Sequence, residues 1–279
     1  MAGLWQEGGP LDALDKALSR PVFHLELPWL LEVALSMPGM WFCCGPIYPL
    51  AVVPAGLMAM APQTKTFRFW VCVPVLVVAA GVWMSLCLDS TFFGHGVHRA
   101  YMHDRPEAGL LFLGLPYAVV FLSYLSSPAG RRAVVLWFSS FFVSLKAASF
   151  AKRRVLRLRP MVALAAELHS VRRALPDANA QQRQPSEVSL SFPSGDSAAG
   201  AACAVVLLLT CPGLRGKAAA VLLLLLTGLG RMYFHCHHLL DVVAGELLGI
   251  AVTVLWSRCC GGMGWYHVTL AQVILIFLP

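Results

Sequence analysis

Apolar runs long enough to cross a bilayer, or nearly so, recur through most of the chain, and no other feature limits its fold so tightly. They lie at Pro38–Met60, Phe69–Leu88, Gly109–Ser126, Ala133–Phe150, Ser197–Leu209, Ala218–Tyr233, Leu239–Trp256 and Trp265–Leu278. A spanning helix needs about 20 apolar residues and satisfies all its backbone hydrogen bonds within itself. The pattern therefore predicts an all-α, polytopic membrane helical bundle, with a six-helix core and extra N- and C-terminal hydrophobic segments. The balance of residues agrees: of 279 residues 58% are hydrophobic and 13% charged, against roughly 25% charged in soluble domains.

The expected organisation is a tail over 1–37, a proline-rich hydrophobic segment over 38–68, the six-span core over 69–258 and a hydrophobic segment over 259–279. Pro46, Pro49 and Pro54 break the helical ladder of the first run, which is either a kinked span or a re-entrant segment. The tail is acidic before Lys16 and has no apolar core, so it does not read as a cleavable signal. Leu11, Leu14 and Leu18 recur at helical spacing after Pro10, which predicts a short helix lying on the membrane surface.

The net charge of +7 could serve nucleic acid, anionic lipid or a phosphate site. No polar segment carries a long basic run with interleaved aromatics, which argues against nucleic acid. Nine cysteines, mostly in or beside apolar runs, do not make a secreted disulfide framework. Cys259 and Cys260 follow a span directly, a weak signal for acylation. If the six core runs alternate, Lys65, Arg68, Arg131, Arg132, Arg215, Lys217 and Arg258 share one face, the cytoplasmic one by the positive-inside rule. The long charged loop, within 151–195, then faces the lumen or the exterior, and loops of that length usually carry function.

Three segments on that second face suit an anion. In Lys152-x6-Arg159-Pro160, a helix running through would put both cations on one side, with Pro160 ending or bending it. In Pro193-Ser194-Gly195-Asp196, a hydroxyl, a glycine and the free N–H groups of a helix start form an anion cradle. In Arg231-x5-His237-x3-Asp241, the last two residues would share a helix face, while a turn near Phe234–Cys236 lets Arg231 converge with them. Zinc held by His235, His237, His238 and Asp241 is the rival reading, though no cysteine pair or His-Glu-x-x-His spacing supports it. Two runs separate the second segment from the third and none separates the first from the second, so all three are expected at one face.

Taken in order, these three motifs resemble the type 2 phosphatidic acid phosphatase superfamily, which includes lipid phosphate phosphatases and glucose-6-phosphatase and shares its site with vanadium haloperoxidases. The resemblance covers roughly Phe69–Trp256. It implies that His237 attacks phosphorus to give a phosphohistidine, that Asp241 orients it, and that Lys152, Arg159, Ser194, Gly195 and Arg231 hold the phosphate oxygens. The family's second motif ends in histidine, the proton donor to the leaving oxygen, and Asp196 stands there in this chain. His95, His98, His103 and His169 are alternative donors.

The resemblance thus implies an integral membrane phosphohydrolase acting on a lipid phosphate or pyrophosphate, with no metal or other cofactor. The alternatives are a lipid phosphotransferase and a catalytically impaired member that binds or moves phospholipids. The expected partners are a phosphorylated lipid and the bilayer, not nucleic acid. The expected location is an endomembrane such as the endoplasmic reticulum, or the plasma membrane, with the site lumenal or extracellular. Substrate identity and oligomeric state are not legible in the sequence.

Overall fold

The computed structural model describes residues 8–28, 31, 35, 128–160, 190–211 and 213–262. The runs 38–60, 69–88, 109–126 and 265–278, most of the long loop, and His95, His98, His103 and His169 lie outside the described residues. Five helices are described: α1 (Pro10–Phe23), α2 (Pro128–Val155), α3 (Gly195–Thr210), α4 (Leu214–Tyr233) and α5 (Leu239–Gly262). Among the described residues there is no strand; an isolated antiparallel bridge joins Leu158 to Leu190. The fold is all-α, as expected. Stretches of α4 and α5, Leu214–Tyr233 and Leu239–Cys260, are long and apolar enough to cross a membrane.

Small residues let these helices close on one another, as is usual where lipid supplies no hydrophobic drive between helices. Ala198, Ala199, Ala201 and Ala202 of α3 are wholly buried. A methyl group on Gly245 of α5 would run into the carbonyl oxygen of Ser194, and one on Gly249 into that of Ala198. Gly200 of α3 leaves similar room for Thr227 of α4. Larger apolar residues point outward instead, among them Leu222, Leu225 and Leu229 of α4 and Leu247 and Leu255 of α5. This inside-out arrangement suits a bundle in lipid.

Helix α1 forms where the leucine spacing placed it, with Pro10 in its first turn. Its exposed leucines are Leu11, Leu14 and Leu18, while Asp12, Asp15, Ser19 and Phe23 are buried against the protein. Phe23 packs with Met232 and Val242, which seats the end of α1 beside the α4–α5 turn.

A candidate active site at the helix ends

The α4–α5 turn is closed by backbone geometry. After the C-cap at Phe234, His235 takes the left-handed conformation, φ 53°. His235 N–H donates to the Met232 carbonyl (2.8 Å) and Cys236 N–H to that of Arg231 (3.0 Å), the paired bonds that finish a helix with a left-handed residue. Histidine tolerates this region better than bulkier side chains. Its ring Nε2 is 3.0 Å from the Phe23 carbonyl oxygen, so His235 belongs to the turn's packing with α1. The chain reverses here, bringing Arg231 and His237 together as the spacing required.

His237 and Asp241 do meet, but not on a shared helix face. His237 precedes α5, its Nδ1 is 3.8 Å from Asp241 Oδ2, and Nδ1 has no hydrogen-bond partner. Asp241 Oδ2 accepts instead from the His238 backbone N–H at 2.8 Å. That bond satisfies a donor at the start of α5, where unpaired N–H groups are unavoidable. The His238 backbone therefore takes the contact that the four-residue spacing assigned to the imidazole.

The expectation that Lys152 and Arg159 share one continuous helix also needs correction. α2 ends at Val155, and Leu156 is left-handed, φ 57°, so the helix stops before the second cation. Beyond it Leu158 forms an isolated bridge with Leu190, and Ser191 N–H donates to the Arg157 carbonyl at 2.8 Å. Pro160 does not end α2. Even so, the charges of Lys152 and Arg159 both act on Asp196 and on His237.

The second motif is a helix start, as expected. Ser194 caps α3, its hydroxyl oxygen accepting the Ser197 N–H at 3.2 Å. Its own N–H donates to the Asp241 carbonyl at 2.8 Å, which bolts the second motif to the third. Gly195 lies against Leu145 of α2. Asp196, immediately before the apolar stretch, pairs with Arg231 (Nη2 to Oδ2, 2.9 Å). Burial works against its ionised form, but Arg231, His237, Arg159 and Lys152 outweigh it and hold the carboxyl below its usual range.

For His237 burial is the largest influence and favours the neutral ring. Asp241 opposes it, Arg159, Lys152 and Arg231 add to it, and the imidazole is pushed down to about 3. The site thus presents an uncharged imidazole among three cations. Among the described residues no group of three or more metal-ligating side chains converges, so the zinc reading gains no support from them.

All three motifs lie within one stretch that a family model matches. The model is that of the PAP2 superfamily, and it covers residues 133–263. Over this segment, just under half of its length, the chain is similar to the PAP2 superfamily. Among solved structures, the chain is similar to the first transmembrane PAP2 type phosphatidylglycerolphosphate phosphatase from Bacillus subtilis. The likeness is 17% identity over 95% of this chain and 92% of that one, with a TM-score of 0.45. No curated protein matches the chain significantly.

The site has a further layer that the motifs do not announce. Arg157, inside the first motif but outside its pattern, reaches Asp241 with Nη1 (2.8 Å to Oδ1) and also contacts Asp12 and Asp15 of α1. Two acids three residues apart with a serine four further on, all on one helix face, were the available sequence signal. Their partner lies some 140 residues away in the chain, which hid it.

Proposed function

We propose that the protein is a membrane phosphohydrolase that cleaves a lipid phosphate or pyrophosphate through a phosphohistidine on His237, without a metal. The observation that carries this reading is the neutral, buried imidazole flanked by the cations Lys152, Arg159 and Arg231. A nucleophilic histidine must be unprotonated, and a phosphate dianion needs fixed positive charge; the same burial and cations provide both.

In the proposed sequence the phosphate seats against Lys152, Arg159 and Arg231, with the Ser194 hydroxyl and the free N–H groups at the start of α3 on its remaining oxygens. Nδ1 of His237 faces Asp241, so Nε2 attacks phosphorus. The P–N bond forms, the bond from phosphorus to the leaving oxygen breaks, and the oxygen takes a proton. The imidazolium charge that develops is stabilised by Asp241. Water then attacks phosphorus, the P–N bond breaks, and inorganic phosphate leaves. A site at the ends of membrane-spanning helices suits a substrate with its tail in lipid and its phosphate in water.

Asp196 is the proposed proton donor. A bound dianion draws on Arg231 and adds negative charge beside the carboxyl, and both changes favour its protonated form. The Arg231–Asp196 ion pair supports a second reading, a catalytically impaired member that still binds phospholipid, because without substrate the carboxyl is held ionised. The purified protein in detergent, given a panel of lipid phosphates and pyrophosphates with EDTA present, tests both. Released phosphate is expected; binding of those lipids without release would favour the impaired member.

A further inference from the structure

The side chain of Arg157 joins three carboxylates drawn from two ends of the chain. Nη1 lies 2.8 Å from Asp241 Oδ1 and 2.7 Å from Asp15 Oδ2, and Nη2 lies 3.2 Å from Asp12 Oδ1. The guanidinium is nearly inaccessible, with 6% side-chain exposure, and both aspartates of α1 are buried with it. Its backbone is held as firmly: the Arg157 carbonyl accepts from Ser191 N–H (2.8 Å) and from the Ser191 hydroxyl (3.3 Å). A long, flexible side chain fixed at both ends serves geometry, and with Nη1 already bridging two carboxylates the group is ill placed to hold phosphate.

Helix α1 extends the same contact to the start of α5. Asp15 Oδ1 accepts the Leu240 N–H at 2.9 Å, and Ser19 Oγ accepts the Leu239 N–H at 2.9 Å. With the bond from His238 N–H to Asp241, three successive backbone donors at that helix start are satisfied, two of them by α1. The carboxylate beside His237 thus has one oxygen fixed by Arg157 and the other by the turn.

We propose that Arg157, held by Asp12 and Asp15 of α1, is the positioning residue that fixes the Asp241 carboxylate beside His237, so that the N-terminal helix is a working part of the site. This rests on the roles proposed above for His237 and Asp241. Arg157 acts on kcat through the orientation of the imidazole and leaves substrate binding to the other cations.

The test uses the full-length protein in detergent and the variants Arg157→Lys, Arg157→Gln, Asp15→Asn and Ser19→Ala, each checked for folding by its thermal midpoint. Arg154→Gln is the control, since Arg154 is exposed and stacks on the Phe150 ring 5.0 Å away. Two readouts are taken: kcat and KM for a lipid phosphate, and the imidazole 15N shifts of His237. Arg157→Gln and Asp15→Asn should lower kcat about tenfold to a hundredfold with KM within about twofold, the scale expected when a reacting group is misplaced by roughly 1 Å. Arg157→Lys should recover part of the loss, and the His237 ring shifts should move in every variant that slows the enzyme.

A wild-type kcat and wild-type ring shifts in folded Arg157→Gln and Asp15→Asn would overturn the proposal, as would a loss confined to KM. Should Arg157→Gln not fold, Arg157→Lys, Asp15→Asn and Ser19→Ala decide by the same criteria. Absence of turnover in the wild type would count against the phosphohydrolase reading alone. The His237 ring shifts would still decide this proposal, because they report the imidazole's surroundings without turnover.

Discussion

Asp196 and Arg231 form an ion pair, Oδ2 to Nη2 2.9 Å, between the last residue of the second motif and the first of the third. The residue by which this chain departs from the motif pattern it resembles is thus held by one of the cations proposed to grip phosphate. Asp196 therefore has two roles to separate, proton donor and holder of Arg231.

Replacing Asp196 with Asn keeps the shape and much of the hydrogen bonding but removes the transferable proton and the charge. If it donates the proton, kcat on an alkyl phosphate should fall about 10²- to 10⁴-fold, while a nitrophenyl phosphate, whose leaving group needs little protonation, is largely spared. Equal losses on both would show that only the hold on Arg231 matters. Asp196→His restores the family pattern and should shift the pH optimum toward neutrality.

Each clamp cation should matter for turnover, whereas its neighbours in sequence should not. Lys152→Ala and Arg159→Ala each remove a charge-assisted contact, worth about 1.5–3 kcal/mol, and should lower kcat/KM about tenfold to a hundredfold or more. Arg153→Ala should leave it within about twofold. Steady-state kinetics on one lipid phosphate checks the set. Equal effects at all three positions would favour general head-group binding by a basic cluster.

The neutral state of His237 makes a prediction about acid. With the folded imidazole pushed down to about 3, well below its ordinary value near 6.5, the nucleophile stays unprotonated from neutral pH down past pH 5. The kcat/KM profile should therefore lack a His237 inflection between pH 7 and 5, apart from that of the substrate phosphate itself near about 6. Stability runs the other way. An unfolded histidine takes up a proton below about 6.5 and the buried one does not, so this contribution is fully present above that pH and is lost as pH falls. The thermal midpoint should drop between pH 7 and 5, and His237→Asn should drop less.

Close contact between α3 and α5 should be a requirement of both stability and activity. Gly245→Ala puts a methyl against the Ser194 carbonyl, and overpacking of this kind typically costs about 1–3 kcal/mol. The expected result is a lowered thermal midpoint together with lost turnover, since Ser194 is joined to Asp241 through its N–H.

Spacing made the third motif legible, because a turn is the only way for Arg231 and His237, six apart, to converge, and the turn is there at Phe234–His238. The start of α3 was legible for the same local reason, a capping serine ahead of an apolar run. Helix continuity failed at Leu156, where a left-handed residue ends α2 although nothing in Val155-Leu156-Arg157 is a helix breaker. Tertiary pairing with Leu190 and Ser191 overrides local preference there. The leucine spacing made α1 legible, but not its contact with Arg157, because Asp12, Asp15 and Ser19 meet their partners only after folding.

The central claim is that His237 carries the phosphoryl group. The direct measurement is to mix the protein with a lipid phosphate labelled with 32P, quench within milliseconds, and map the label. An acid-labile, alkali-stable phosphoramidate on His237, absent from folded His237→Ala and unaffected by EDTA, is the predicted result. Label on His235 or His238, or full phosphate release by His237→Ala, would contradict the account.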